Sequence, residues 1–226
     1  MCSSDLLTDD VVEFMALQLQ KLPAETQEVL KLAACIGNQF DLNTLAIVSE
    51  QSEIETATAL WRGLQEGLIL PQSETYKFYV GQKTEHDIEQ NSQVVNYKFL
   101  HDRVQQAADS LIPGDQKQAT HLQIGQLLFQ DASSTTLEER LFDIVNHLNV
   151  GKSLIAQPSE RTELAQLNLA AGRKAKLATA YSAAIAYFTT GMELLEQDCW
   201  RSNYELTLAL QVAAARSEER RVGKEC

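Results

Sequence analysis

Apolar residues recur at helical spacing along most of the chain, while short stretches near its middle alternate as strands do. Four helices are predicted in the first third of the chain, at residues 9–22, 23–36, 41–48 and 52–66. Pro23 starts the second and Gly37 stops it, while Asp41 is the expected cap of the third. Ser52 and Glu55 have capping-box spacing, which predicts where the fourth helix begins.

Three short strands are predicted next, at residues 68–70, 76–80 and 94–100, because apolar and polar positions alternate there. The polar stretch 81–93 between the last two is long for a hairpin loop. Helices followed by a β-hairpin are the order of a winged-helix domain, which we assign to residues 7–113. The loop 81–93 would form its wing tip.

Helical spacing then resumes and continues to the end of the chain. An apolar stripe predicts a helix before Pro113, and further helices are expected at residues 115–130, 137–149, 160–178, 180–197 and 200–215. Short connections predict antiparallel neighbours. Gly172, Ala184, Phe188 and Gly191 keep the spacing of a tetratricopeptide repeat. The predicted fold is therefore mainly α: a winged-helix domain with a small β-hairpin, followed by TPR-like antiparallel helical repeats at residues 114–215.

Charge and composition exclude several classes of partner. The formal net charge is -12, which opposes binding to the phosphates of nucleic acids or to anionic membranes, so protein partners are expected. No apolar run is long enough to cross a bilayer, and a cytoplasmic location is expected. The four cysteines lack the spacing of a zinc site or a disulfide framework.

No catalytic motif is present, so the chain itself is not expected to be an enzyme. Gly151-Lys152-Ser153 resembles the end of a phosphate-binding loop, but Asn146 stands where that loop requires its first glycine. We therefore predict that Gly151 stops a helix.

The predicted helix at residues 52–66, which would be the DNA-reading helix of a winged-helix domain, carries more acidic than basic residues. Glu53, Glu55 and Glu66 stand against Arg62 alone, so DNA binding is not expected.

His101-Asp102 joins the last predicted strand to the next helix. On spacing alone, Asp102 would cap that helix and His101 would fill the strand end. His86, His121 and His147 have no second ligand nearby in sequence and are interpreted as ordinary structural histidines.

The stretch FLHDRVQQAA at residues 99–108 resembles the "MHD"-type end of the winged-helix domain in STAND signalling ATPases, with Leu100 where that motif has methionine. Residues 22–46, 96–113, 142–155 and 163–195 are similar, in the same order, to the AAA/STAND ATPase section of bacterial multidomain kinases. Those proteins join a Ser/Thr kinase, this ATPase section, a GAF sensor and a histidine kinase.

The resemblance implies that His101 and Asp102 form a nucleotide-sensing pair, in which a neutral His101 donates to a diphosphate held by an ATPase domain elsewhere in the parent protein. ATP or ADP with Mg would belong to that parent, and no cofactor is expected in this chain. Its partners would be the ATPase and kinase domains of the same parent. Two alternatives stay open: a segment of a STAND-type transcription regulator, and a stand-alone helical protein-interaction module.

Both ends resemble translated sequencing adapters, at residues 1–6 and 216–226. We therefore expect residues 7–215 to be an internal piece of a longer protein. Truncation would leave apolar faces unpaired around Val11, Phe14 and Met15 and on the final helix. Self-association of the chain is expected for that reason.

Overall fold

The computed structural model describes residues 4–73, 76, 94–195 and 198–225. The chain divides into two compact units, Met1–Lys117 and Gln118–Cys226. Helices dominate both units, and the described part of the chain contains one small three-stranded antiparallel sheet. The prediction of a mainly α fold with a small β component is confirmed. None of the described helices combines the length and apolar character that a bilayer crossing requires.

The first unit contains five long or medium helices and three short strands in its described part. Their bounds are α1 Ser4–Leu19, α2 Ala24–Ile36, β1 Gln39–Asp41, α3 Leu42–Ser49, α4 Glu53–Gln65, β2 Ile69–Pro71, β3 Asn96–Phe99 and α5 Asp102–Ser110. The order α2, β1, α3, α4, β2, β3 is that of a winged-helix domain. The predicted strand 76–80, apart from Tyr76, and the predicted loop 81–93 lie outside the described residues.

The sheet has the order β1-β3-β2, with both outer strands antiparallel to β3. Phe40 lies opposite Tyr97 in register, and their rings stack with centroids 5.8 Å apart. The Phe40 ring also packs against the Phe99 ring in a tilted arrangement, with centroids 5.6 Å apart. Strand β1 was missed by the sequence prediction, because three residues are too few to show an alternating pattern. Its central Phe40 is almost fully buried and fixes the strand against β3.

The first predicted helix, 9–22, is observed at Ser4–Leu19, but the predicted end of α2 and the predicted starts of α3 and α4 are confirmed by their hydrogen bonds. Asp41 caps α3, since its carboxylate accepts from the Thr44 backbone N–H at 2.7 Å. Ser52 and Glu55 form the predicted capping box at the start of α4. Gly37, with φ of 155°, ends α2. These capping residues fix where helices α2, α3 and α4 begin or end next to the strands.

The described secondary-structure elements of the second unit are all helical. Its elements, counting the helix that enters it from the first unit, are α6 Gly114–Asp131, α7 Ser134–Val150, a 3-10 turn Lys152–Leu154, α8 Pro158–Leu177, α9 Tyr181–Leu194, α10 Cys199–Ser202 and α11 Tyr204–Glu225. The predicted helix 200–215 is thus divided at Asn203 and extends further, to Glu225.

Helices α8 and α9 run antiparallel. Arg161 near the start of α8 donates to the backbone carbonyls of Leu194 and Glu193 at the end of α9, at 3.1 and 3.3 Å. Further along α8 the two helices approach each other closely, because Gly172 of α8 faces the ring of the fully buried Phe188 of α9. The predicted pairing of small and aromatic residues is therefore present in the second unit.

A partly buried amide pair joins α7 to α8. Asn149 and Asn168 exchange two hydrogen bonds of 2.9 Å, and Asn168 also donates to the Leu164 carbonyl. Asn168 has no exposed surface. Its polar atoms are paired where an unpaired amide would be costly, so the pair fixes the register of the two helices.

Candidate functional site

The candidate site lies where strand β3 ends and helix α5 begins. The Leu100 backbone N–H donates to the Leu68 carbonyl at 2.9 Å, so the chain after β3 stays bonded to the segment that leads into β2 as far as Leu100. His101 then adopts an extended conformation with φ -152° and ψ 150°, and α5 starts at Asp102. Leu100, His101 and Asp102 are all exposed. The site is therefore a surface junction held by the sheet on one side and by a helix on the other.

His101, and not Asp102, caps the helix. The His101 Nδ1 atom accepts a hydrogen bond from the Arg103 backbone N–H at 3.1 Å. The expectation that Asp102 would be the cap was wrong, because Asp102 already occupies the first turn of α5. Its carboxylate there still interacts favourably with the helix dipole.

The cap determines which nitrogen of His101 faces solvent. A ring nitrogen that accepts an N–H cannot carry a proton, so the neutral ring holds its proton on Nε2. Since the side chain is exposed, that Nε2–H is available to donate to an acceptor outside the chain. The site thus presents one directed hydrogen-bond donor.

Asn38 completes the site and was not anticipated from the sequence. Its Nδ2 donates to Asp102 Oδ1, and its backbone carbonyl accepts from the Phe99 N–H at 2.9 Å. Asn38 therefore connects the end of α2 to both β3 and the start of α5. The two partners are 64 residues apart in sequence, and no local pattern could have linked them.

Helix α5 is anchored behind the site. Val104, Ala107 and Ala108 are buried, and Gln105 Nε2 donates to the Ala34 carbonyl of α2 at 3.0 Å. The helix packs against α1 and α2. Its N-terminus is consequently held in a fixed position, which is what a directed donor requires.

The site can recognise an acceptor but is not a complete anion site. It combines the His101 donor with the Asp102 carboxylate, and a carboxylate repels phosphate. A diphosphate would therefore need further cations from another domain. The described residues contain no group of three or more side chains able to hold a metal ion.

Gly151-Lys152-Ser153 is structural, as predicted. Gly151 ends α7, and a Cβ on it would lie 2.6 Å from the Leu122 Cβ. Lys152 forms an ion pair with Glu193 at 2.6 Å, and Ser153 donates to Gln118 at 3.0 Å. Gly151 thus allows close helix packing, while the side chains of Lys152 and Ser153 are engaged in polar contacts with neighbouring helices.

Helix α4 occupies the place of a DNA-reading helix in the winged-helix order. Its exposed side chains include Glu55 and Arg62, and Arg62 donates to Gln65 at 3.0 Å. The expectation against DNA binding stays a prediction.

His121 and His147 form a pair that the sequence interpretation overlooked. Their Nδ1 atoms are 2.9 Å apart, and their rings stack with centroids at 5.0 Å. Burial, and secondarily the proximity of His121, lowers the pKa of His147 to about 4. His147 is therefore neutral near neutral pH, and the contact links α6 to α7 within the second unit.

Cys35 is a poor nucleophile. Burial, reinforced by the nearby Asp109 carboxylate, raises the pKa of its thiol to about 11. The reactive thiolate form is consequently scarce at neutral pH. Asp109 itself pairs with Lys117 at 2.5 Å.

Comparison with known proteins gives one informative relationship. No protein-family model and no solved structure matches the chain. The chain is similar to a segment of hybrid signal transduction histidine kinase G from Dictyostelium discoideum, with 31% identity over 253 aligned positions. The alignment covers 93% of this chain and 7% of that kinase. A relationship with a signal-transduction kinase is thereby supported, while this relative gives no support for a bacterial source.

Proposed function

We propose that this chain is a non-catalytic regulatory segment of a multidomain signal-transduction kinase. The observation that carries the proposal is its similarity to the Dictyostelium hybrid histidine kinase, which extends over 93% of this chain. The first unit would sense the nucleotide state of a STAND-type ATPase domain in the same parent protein. The helical second unit, which we interpret as TPR-like, would relay that state to kinase domains or partner proteins.

The sensing step is assigned to His101. Its Nδ1 is engaged in capping α5, which directs Nε2–H outward as a donor. In the inactive state this N–H would donate to a diphosphate bound by the ATPase domain, and Asp102, held by Asn38, would keep the start of α5 in place. Release of the contact would let the winged-helix unit move, giving a two-state switch biased by nucleotide.

The size of the expected effect follows from the single hydrogen bond involved. A hydrogen bond to a charged group contributes about 1.5–3 kcal/mol, which corresponds to roughly tenfold to a hundredfold in an equilibrium constant. Loss of the His101 donor should therefore accelerate ADP release by about that factor. The Mg-nucleotide would be held chiefly by the ATPase domain, since His101 supplies one donor beside a carboxylate.

The test measures dissociation of a fluorescent ADP analogue from a protein that joins this chain to the ATPase domain encoded by its parent gene. His101→Ala should release ADP about tenfold to a hundredfold faster than the unsubstituted protein. Arg103→Ala is the matched control, because it removes a neighbouring charge but keeps the backbone N–H that His101 accepts. Unchanged ADP retention in His101→Ala would rule out the sensor role.

The flanking gene sequence tests the wider assignment. A phosphate-binding loop upstream with kinase motifs downstream is the expected result. A helix-turn-helix downstream would favour a transcription regulator, and the absence of both would favour a stand-alone interaction module.

A further inference from the structure

The last long helix of the described chain borders an open groove. This groove, about 440 Å³ in volume, lies between α8 and α11 in the second unit. Its floor contains Leu208 and Val212, which remain 41% and 38% exposed, beside the small Ala209 and Ala213. Large apolar side chains at i and i+4 on an exposed helix face, separated by alanines, are suited to the close approach of another helix.

The groove carries the opposite charge to the chain as a whole. Arg173, Lys176 and Arg216 line it against the single carboxylate of Glu205, although the chain has a formal net charge of -12. Its preferred occupant is accordingly an apolar helix with acidic residues.

Helix α1 has those properties. Val11, Phe14 and Leu17 follow one another at a spacing of three and are 44%, 56% and 52% exposed. The opposite side of α1 packs against α5 and buries Leu19 completely. The α1 sequence contains four acidic residues and no lysine or arginine. The chain therefore carries an exposed acidic, apolar helix and a basic, apolar groove.

We propose that α1 of one chain docks in the α8–α11 groove of a second copy. The groove follows α11 from Glu205 to Arg216, about 17 Å at 1.5 Å per residue, and this length accommodates the Val11–Leu17 stripe. Acidic Glu13, which is exposed beside that stripe, would approach the basic rim of the groove.

The geometry of the contact predicts how copies assemble. Because helix and groove are different surfaces, each bound pair still has one free α1 and one free groove, so assembly continues until a ring closes or proceeds as an open chain. A contact of about three helical turns is small for a protein interface, which predicts weak, micromolar association. Charge complementarity makes the association weaker at high salt.

The experiment uses sedimentation velocity of the full chain over a range of concentrations. The unsubstituted chain should form dimers and larger species as its concentration rises. Phe14→Ser removes the largest apolar side chain of the docking stripe, and Leu208→Ser removes one of the two large side chains of the groove floor. Each variant alone should remain monomeric. Both side chains are substantially exposed, so thermal unfolding should match that of the unsubstituted chain.

Mixing the two variants distinguishes this contact from other kinds of association. Phe14→Ser retains an intact groove and Leu208→Ser an intact α1, so an equimolar mixture should form a one-to-one dimer and nothing larger. Lys176→Glu should weaken self-association by about tenfold or less, and adding Glu13→Lys should restore it. A monomeric unsubstituted chain, a monomeric mixture, or assembly unchanged in the single variants would each overturn the proposal.

Discussion

The close approach of Gly172 to Phe188 gives a sharp prediction for stability. An ideal Cβ on Gly172 would lie 2.6 Å from Phe188 Cδ1 and 2.7 Å from Cζ, about 1 Å inside ordinary van der Waals contact. Phe188 is fully buried in a cluster with Leu169, Ala184 and Leu210. The ring therefore cannot move aside without disturbing its neighbours, and Gly172→Ala should destabilise the second unit.

Two opposing effects set the magnitude. Replacing glycine by alanine inside a helix stabilises it by about 1 kcal/mol, and Gly172 lies within α8. Overpacking a core costs about 1–3 kcal/mol, and an overlap with several ring atoms at once belongs at the upper end of that range. The expected result is a net loss of about 2 kcal/mol in the free energy of unfolding.

Gly63→Ala is the matched control with the opposite sign. A Cβ there would lie 3.5–3.6 Å from Leu30 and Ile69, which is ordinary contact, so the helical preference of alanine should stabilise α4 by up to about 1 kcal/mol.

Urea unfolding measures the change in the second unit. Trp61 and Trp200 are the two tryptophans, so a Trp61→Phe background leaves Trp200 as the reporter of that unit, while a Trp200→Phe background leaves Trp61 to report the Gly63→Ala control in the first unit. Phe188→Leu, which removes ring atoms, should reduce the cost of Gly172→Ala in a double-mutant cycle. If Gly172→Ala were as stable as its parent, the close packing of α8 and α9 would be refuted.

Two further predictions concern buried polar pairs in the second unit. The pKa of His147 is lowered to about 4, so the folded state loses stability as pH falls below the unfolded pKa near 6.5, by up to about 3 kcal/mol once pH is below 4. Between about pH 7 and 4.5, the urea midpoint should therefore fall less in His147→Phe than in the unsubstituted chain. An equal fall of the midpoint with pH in both proteins would contradict the lowered pKa. Asn168→Leu leaves the Asn149 amide without its partner and should lower the free energy of unfolding in urea by about 1–3 kcal/mol. Replacing both asparagines by leucine should recover part of that loss. An undiminished loss in the double variant would refute the pairing.

Sequence reasoning located the features that depend on a few neighbouring residues. Asp41 caps α3, Ser52 and Glu55 form the capping box, and Gly37 ends α2, all as predicted. Each signal depends on hydrogen bonds that span no more than four positions. Such bonds use only local geometry, so the residue types and their spacing were sufficient to predict them.

Contacts between distant residues were not predictable in this way. The Asn38–Asp102 bond joins residues 64 positions apart, and the His121–His147 pair joins residues 26 positions apart. These contacts exist because helix packing and strand pairing bring separate elements together. The cap of α5 was misassigned to Asp102 for a different reason. Both His101 and Asp102 can accept a hydrogen bond from a backbone N–H, and a shift of one residue in the helix start decides which of them is the cap.

Helix α5 connects the two proposed surfaces of the first unit. Its N-terminus bears His101, while its body packs against α1, whose outer side exposes Phe14. Coupling between them would require α5 to shift against α1, yet Ala107 and Ala108 are fully buried and close-packed elements resist small displacements. The nucleotide contact and the contact between copies should therefore respond to different substitutions, and failure of one proposal would leave the other standing.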